Sequence, residues 1–285
     1  MNSDSQDKEL VPLPKAPGML SDSQKNLFIL EHYWEGLDWQ DTTLIGSDAL
    51  TNAFRKWMQG ILWLPQADAA TVTGSIISNG HGHPEMQTEL YRMTSDVLND
   101  PNSEVRNDEL FLPVLEAYST DSIIPETDRM RPAFLLGQLK MNRLGTIATD
   151  LTITLSKGGQ TTLGRLAVTP FTILYFFNPD CPGCEEISEV LKTDSELQIL
   201  EDRNMVRIVA VYPDEDLESW NAHNADVYPY GWIPGRLATE AERDKYYLQA
   251  IPTLYLLDKD RRIILKDASV ETVIRKLASL TGDAD

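Results

Sequence analysis

The chain has 285 residues and an ordinary globular composition, with 42% hydrophobic and 24% charged residues. It carries 44 acidic against 25 basic residues, so its formal net charge at pH 7 is −19. Long-range repulsion therefore disfavours nucleic acid and anionic membrane surfaces as ligands. No apolar stretch approaches the roughly 20 residues that a membrane-spanning helix needs, and the length favours two domains over one.

The first half of the chain predicts an extended lead-in followed by helices. Residues 1–20 contain three prolines and few periodic apolar positions, which predicts an extended, poorly ordered segment. Over residues 21–141 the apolar residues recur at helical spacing, as in Leu90, Met93 and Val97. We therefore predict an all-helical domain over residues 21–141.

This predicted domain is also rich in aromatic residues, which admit two interpretations. They could form a ligand-binding surface, but core packing is favoured because aromatic side chains supply much of the buried area of a core. The aromatic residues concerned are Tyr33, Trp34, Trp39, Trp57 and Trp63.

The apolar pattern changes near residue 142, where strand-like segments begin. Alternating and continuous apolar runs now recur between turns, and continuous runs are typical of strands that helices cover on both faces. We therefore predict an α/β domain over residues 142–285, with a central mixed sheet flanked by helices. The predicted strands are 151–155, 161–163, 171–177, 205–212, 253–257 and 263–265, and the closing helix is 270–280.

The two cysteines of the chain, Cys181 and Cys184, form a single Cys-x-x-Cys unit. Two randomly placed cysteines would fall three residues apart in about one chain in a hundred of this length, so the spacing favours a functional pair. A structural zinc site would need two further ligands, and no histidine has a spacing that completes one. We therefore expect neither a metal nor another cofactor, and we interpret the pair as a redox dithiol.

The order of strand, turn and helix around the cysteines predicts a chemical difference between them. If the helix begins here, Cys181 is its N-cap, and Pro182 occupies the first helical position, where its missing N–H costs nothing. The N–H groups of Gly183 and Cys184 would then point at the Cys181 sulfur. Together with the helix dipole, they would lower the pKa of that thiol and make it nucleophilic. Cys184 would face inward and resolve a mixed disulfide formed at Cys181.

Three acidic residues flank the motif and are predicted to modulate it. Carboxylates close to the sulfur would raise the pKa of the Cys181 thiol, although water screens surface charges. We therefore expect the helix terminus to outweigh them. These residues are Asp180, Glu185 and Glu186.

The segment 171–184, the later Ile251-Pro252-Thr253 and the hairpin through Leu265 resemble the thioredoxin fold. An aromatic insertion makes the domain similar to the TlpA/ResA-like group of bacterial periplasmic thiol–disulfide oxidoreductases. The helices before it resemble an uncharacterised helical domain found ahead of such modules. The aromatic residues of the insertion are Trp220, Tyr228, Tyr230 and Trp232.

The resemblance implies a thiol–disulfide oxidoreductase that exchanges electrons with protein thiols or disulfides and with a redox partner protein. It implies that Pro252 is cis and faces the cysteines, with the backbone of Ile251 or Thr253 pairing with a substrate chain beside Cys181. It also points to the periplasm or cell envelope, with the cytoplasm left open. The polar residues 1–7 predict no signal peptide. This suits a mature exported protein from which an export or lipoprotein signal was removed. A lipoprotein signal would imply a lipid tether in the unprocessed form.

The sequence departs from the thioredoxin pattern at three places. Gly183 stands where proline is common before the second cysteine, and Asp180 stands where an aromatic residue is common before the first. The buried carboxylate that often assists proton transfer in this fold has no obvious counterpart here, because Tyr175 lies six residues before Cys181 and Ile187 six residues after it. These differences leave the reduction potential open.

A peroxidase is disfavoured, whereas a non-catalytic scaffold remains open. A peroxidase on this scaffold would have a threonine three residues before its cysteine, where this chain has Asn178. The strongest rival from another class is a non-catalytic scaffold that binds a partner protein or a glycan through its helical domain. In that case the cysteines would form a vestigial or structural disulfide.

Overall fold

The computed structural model describes residues 9–222, 228 and 231–282. The chain divides into two compact units, Met1–Leu139 and Lys140–Asp285, so the division lies two residues before the boundary suggested by the sequence. The first eight residues of the lead-in and Tyr230 of the aromatic insertion lie outside the described residues.

The N-terminal unit is helical, as predicted. Its first helix begins after Ser21, whose side chain accepts the Gln24 N–H while the Gln24 side chain accepts the Ser21 N–H. This reciprocal cap satisfies N–H groups that have no partner within the helix. The helices of this unit are α1 Asp22–Glu31, α2 Asp48–Ile61, α3 Gln66–Asn79, α4 Pro84–Leu98, α5 Asp108–Thr120 and α6 Glu126–Leu139.

The aromatic residues of this unit mostly pack in its core, with one exception. Tyr33, Trp34 and Trp57 are buried and Trp39 is half-buried, whereas Trp63 is 90% exposed. The expectation of core packing is therefore wrong for Trp63. This residue lies in the turn after α2 has ended, where the chain no longer holds a side chain against the core.

The lead-in is less detached than its composition suggests. Residues 12–16 have no regular secondary structure, but Val11 is 2% exposed and Lys56 of α2 forms an ion pair with Glu9. An apolar anchor and a charge contact thus hold this segment against the helical unit, which the proline count did not reveal.

The C-terminal unit contains a mixed β-sheet. Within the described part of the chain it has seven strands in the order β2-β1-β5-β4-β3-β6-β7. The strands β3, β4 and β5 are parallel, and the others join them antiparallel. The strands are β1 Thr152–Leu155, β2 Gln160–Thr162, β3 Phe171–Phe176, β4 Val206–Tyr212, β5 Ile233–Leu237, β6 Thr253–Asp258 and β7 Ile263–Lys266.

Both faces of this sheet are covered, as the continuous apolar strands predicted. One face packs against helices through Leu191, Leu197 and Leu277, and the other contacts Leu163 and Tyr246. Among the described residues, none of the helices has the length and apolarity required to cross a bilayer. The helices are α7 Leu163–Leu166, α8 Pro182–Thr193, α9 Ser195–Asp202, α10 Leu217–Ala222, α11 Glu240–Arg243 and α12 Val270–Gly282.

The sequence did not predict β5, which lies between β4 and β1 in the sheet. Its Pro234 and Gly235 are residues that strand interiors normally disfavour. The structure accommodates Pro234 where β1 ends: the Pro234 carbonyl accepts the Ser156 N–H, and Leu155 pairs with Gly235. The missing N–H of Pro234 therefore costs at most one bond at the end of the ladder.

Replacing Gly235 tests this packing. A Cβ at that position would collide with the Ile153 side chain and lie 3.0 Å from the Thr154 carbonyl oxygen. We expect Gly235→Ala to lower the free energy of unfolding by about 2 kcal/mol, measured by urea unfolding. Gly282→Ala, where a Cβ meets no atom within 4 Å, is the control. An unchanged midpoint for Gly235→Ala would contradict the placement of β5.

Candidate active site

The end of β3 and the start of α8 position the two cysteines. The chain leaves the sheet after Phe177, whose N–H donates to the Val211 carbonyl, and turns through Asn178 into the helix. Cys181 is the N-cap in extended geometry, and Pro182 is the first helical residue. The helix therefore begins where the sequence predicted.

The two sulfurs have different surroundings. Cys181 is half-buried and Cys184 is 1% exposed, and both are free thiols. The pKa of the Cys184 thiol is raised to about 12, mainly by burial and also by the neighbouring Cys181 side chain, while a hydrogen bond from the Asn178 N–H opposes the shift. The pair thus combines a half-buried cysteine with a fully buried one.

The hydrogen bonds predicted at the Cys181 sulfur are not formed. As N-cap, Cys181 accepts no hydrogen bond at its side chain; the N–H groups of Cys184 and Glu185 donate instead to the Cys181 carbonyl oxygen, at 3.0 and 3.1 Å. The Cys181 thiol donates to the Ile251 carbonyl at 3.7 Å. The prediction that the Gly183 and Cys184 N–H groups donate to the Cys181 sulfur is therefore wrong.

Ile251 and Pro252 contact the cysteine motif. The Ile251–Pro252 peptide bond is cis, as the resemblance implied. A Cβ on Gly183 would lie 3.5 Å from the Pro252 Cδ, so the glycine of the motif faces this proline. Thr253 is buried and already pairs with Phe176 in the sheet, which leaves the half-buried Ile251 as the backbone group beside Cys181.

The three acidic residues predicted as modulators lie at the surface. Glu185 and Glu186 are exposed on the first turn of α8, where water screens their charges. The Asp180 carboxylate accepts a hydrogen bond from the Ser219 hydroxyl. Asp180 therefore connects the turn before Cys181 to α10, and the sequence missed this role.

Asn178 holds the turn together and was also missed as a site residue. Its backbone N–H donates to the Cys184 sulfur at 3.4 Å, and its carbonyl accepts the Cys181 N–H. Its side chain donates to Asp214 at 3.0 Å, and Asp214 pairs with Arg243 at 3.4 Å. An asparagine in the turn before the first cysteine is the signal that could have identified it.

Tyr175 lies below the motif with its hydroxyl against α8. Its side chain is fully buried, and the hydroxyl donates to the Cys184 carbonyl at 2.8 Å and lies 3.2 Å from the Ser188 Oγ. The aromatic insertion covers the ring, because Trp232 meets Tyr175 edge to face at 6.4 Å. The period of two in β3 puts Tyr175 on the Ile173 face, and a buried tyrosine hydroxyl needs a partner.

A half-buried carboxylate, Glu201, lies on α9. Burial raises the pKa of Glu201 to about 7, with a smaller contribution from Asp202. Its Oε1 is buried and has no hydrogen-bond partner among the described residues, and it lies 3.8 Å from where a Cβ on Gly231 would stand. The sequence did not predict this buried carboxylate.

No group of three or more potential metal ligands occurs among the described residues. His81 lies in a turn, 64% exposed, and pairs with Asp121 at 3.0 Å. The donor set of the site is therefore the two thiols and the hydroxyl and amide groups around them.

Alkylation of the reduced protein tests the difference between the thiols. We expect iodoacetamide at pH 8 to label Cys181 at least about a hundredfold faster than Cys184, because burial both shields Cys184 and disfavours its thiolate. Mass spectrometry of the two labelled forms gives the rates, and urea-unfolded protein, in which both thiols react alike, is the control. Equal rates in the native protein would contradict the geometry.

The raised pKa of Glu201 predicts a pH-dependent stability. A carboxyl group whose pKa is higher in the folded than in the unfolded state contributes stability that is fully present at pH values below its unfolded-state pKa. This contribution is lost as the pH rises through the folded-state pKa, here about 7. Glu201→Gln should therefore raise the free energy of unfolding at pH 8 by about 1 to 2 kcal/mol, after screening of a half-exposed group, and change it little at pH 4.5.

Urea unfolding at both pH values measures this difference. Glu196→Gln, which changes an exposed carboxylate on the same helix, is the matched control. An equal effect of Glu201→Gln at the two pH values would rule out titration of a buried carboxylate.

Comparisons with known proteins agree with this architecture. Residues 1–142 match the family model of a domain of unknown function, DUF5106, and residues 171–263 match a thioredoxin-like family model. A search of curated proteins found no significant match.

Several solved structures are similar to the chain. The C-terminal domain of an uncharacterized protein from Bacteroides fragilis has 37% identity and a TM-score of 0.46, over 48% of this chain and 98% of that chain. The thioredoxin domain of a thiol-disulfide oxidoreductase from Bacteroides vulgatus has 18% identity and a TM-score of 0.42, over 48% and 97%. A thioredoxin-like protein from Bacteroides caccae has 31% identity and a TM-score of 0.86, over 94% of this chain and 97% of that chain. The chain therefore belongs to the thioredoxin-like proteins, as a member with a separate helical domain ahead of its thioredoxin-like domain.

Proposed function

We propose that the protein is a thiol–disulfide oxidoreductase that exchanges two electrons with protein substrates through Cys181 and Cys184. The observation that carries the proposal is the arrangement of the two free thiols: a reachable sulfur at the start of α8, with a buried sulfur behind it in the same turn. This is the arrangement that a dithiol needs to form a mixed disulfide and then release it.

The reaction proceeds in two exchanges. The Cys181 thiolate attacks one sulfur of a substrate disulfide, so a Cys181–substrate disulfide forms and the other substrate sulfur leaves as a thiolate. Cys184 then loses its proton to solvent and attacks the Cys181 sulfur. The second substrate sulfur leaves as a thiolate. The substrate disulfide is then reduced by two electrons, and the cysteine pair is oxidised to the Cys181–Cys184 disulfide. The reverse sequence oxidises a substrate dithiol.

The Ile251 backbone is the proposed docking edge for the substrate chain. The Ile251 carbonyl already accepts a hydrogen bond from the Cys181 thiol at 3.7 Å. A substrate sulfur bonded to Cys181 in place of the thiol proton would bring the substrate backbone next to the Ile251 backbone. Extended peptides commonly bind in this way, by main-chain hydrogen bonds to an exposed backbone edge.

The proposal also covers the redox partner of the protein and its cellular compartment. We propose a redox partner protein that returns the pair to its starting state, and a place in the periplasm or cell envelope within the TlpA/ResA-like group. The resemblance of the motif and of the aromatic insertion supports both, and fractionation of the source cells tests the compartment.

Reduction of insulin by dithiothreitol tests the activity directly. We expect the full-length protein to accelerate it, and Cys181→Ser to return the rate to the uncatalysed value because the attacking sulfur is gone. Cys184→Ser should instead accumulate mixed disulfides on Cys181, detected by non-reducing electrophoresis and mass spectrometry.

The matched pair of serine variants separates this proposal from the scaffold alternative. If the unmodified protein does not accelerate the reaction, or Cys181→Ser accelerates it equally, the cysteines are not a working dithiol. The protein would then be a binding scaffold with a vestigial pair.

A further inference from the structure

The buried hydroxyl of Tyr175 has more contacts than its packing requires. The ring is already held by Phe177, stacked at 5.4 Å, and by Trp232 at 6.4 Å. The hydroxyl then adds two polar contacts to α8, with the Cys184 carbonyl oxygen at 2.8 Å and the Ser188 Oγ at 3.2 Å. A phenylalanine ring would pack in the same space, so packing alone does not account for the hydroxyl group.

The directions of these hydrogen bonds follow from the chemistry of the groups. A carbonyl oxygen can only accept, so the Tyr175 proton points at Cys184, and the Ser188 hydroxyl is then the donor to the Tyr175 oxygen. In an α-helix the Cys184 carbonyl also accepts the N–H four residues on, that of Ser188. The carbonyl therefore stays satisfied if the Tyr175 hydroxyl turns away.

The group towards which this hydroxyl can turn is the Cys184 sulfur. The Tyr175 hydroxyl donates to the backbone carbonyl of the same residue at 2.8 Å, and the Tyr175 side chain lowers the pKa of the Cys184 thiol against the effect of burial. Burial also raises the pKa of Tyr175, so Tyr175 keeps its proton and acts as a donor rather than as a base. The Asn178 N–H donates to this sulfur at 3.4 Å.

We propose that Tyr175 is a positioning residue whose hydroxyl hydrogen-bonds to the Cys184 thiolate during resolution of the mixed disulfide, while Ser188 orients and polarises that hydroxyl. The inference rests on the proposed function and concerns its second exchange. Cys184 releases its proton to solvent and its sulfur bonds to the Cys181 sulfur; the Cys181–substrate bond breaks and the substrate leaves as a thiolate. Tyr175 keeps its proton throughout and hydrogen-bonds to the charge while it exists.

The two exchanges are separable with a chromogenic disulfide, dithiobis(nitrobenzoate), in a stopped-flow experiment on the reduced full-length protein. Attack by Cys181 releases the first nitrothiobenzoate, and attack by Cys184 on the resulting mixed disulfide releases the second. We expect Tyr175→Phe to leave the first release unchanged and to slow the second about tenfold, the effect of one hydrogen bond to a charged group. The slowing should be the same at each pH between 7 and 9, because the Cys184 thiol stays mostly protonated over this range in both proteins.

Tyr246→Phe is the matched control. Tyr246 is a buried tyrosine whose hydroxyl donates to the Thr149 carbonyl at 2.8 Å, on the other face of the sheet. A purely structural effect of losing a buried hydroxyl would appear in both variants. An unchanged second release in folded Tyr175→Phe, or equal slowing by Tyr246→Phe, overturns the proposal.

A second variant serves if Tyr175→Phe does not fold, as circular dichroism would show. Ser188→Ala alters a half-buried helix position and removes the group that polarises the Tyr175 hydroxyl. We expect it to slow the second release a few-fold and spare the first, and an unchanged second release would overturn the proposal.

Failure of the underlying function has a different signature. If Cys181 and Cys184 are not a working pair, the wild-type protein releases no second nitrothiobenzoate, or Cys184→Ser releases it equally well. Failure of the Tyr175 proposal alone leaves two releases in the wild type, both insensitive to the hydroxyl.

Discussion

The junction between β3 and α8 is the constraint on which the site depends. The strand ends at Phe176 and the helix begins six residues later at Pro182, so one turn of helix separates the half-buried Cys181 from the buried Cys184. Burial of Cys184 in the core below is favourable for a thiol and unfavourable for a thiolate. The rest of the site is arranged around this imbalance.

Hydrogen-bond donors, rather than nearby charges, offset it. The Asn178 N–H meets the Cys184 sulfur, and the Asn178 side chain is in turn anchored to Asp214 at the end of β4. Tyr175 contacts Cys184 from the sheet side, through a hydrogen bond to the Cys184 carbonyl. The charged groups near the motif, Glu185 and Glu186, face water, so their influence on the sulfurs is screened. A buried thiol with fixed donors ionises rarely, but it does so at a defined position next to Cys181.

The sequence predicted the fold class, most of the strands and the position of the cysteines. Continuous apolar strands, a proline after Cys181 and the Ile251-Pro252 pair carry strong local signals, and the structure has each of them at the predicted place. The fifth strand was missed because Pro234 and Gly235 contradict strand propensity, and only the long-range pairing with β1 and β4 makes them a strand.

The details of the site were less predictable, because they depend on which of several local partners a group chooses. The Cys184 N–H had two acceptors within reach, the sulfur and the carbonyl of Cys181, and it donates to the carbonyl. The environment of Glu201 depends on its approach to Gly231 thirty positions away, and no periodicity reports such a contact. The roles of Asn178 and Tyr175 likewise arise from contacts between elements that only the folded chain brings together.

The central claim is that the two sulfurs form one two-electron couple, and equilibration with glutathione buffers of graded redox ratio tests it most directly. After quenching, mass spectrometry counts the free thiols at each ratio. The account predicts that both thiols disappear together in a single two-electron transition. Loss of one thiol at a time, with glutathione attached to Cys181 and Cys184 still free across the range, would contradict it.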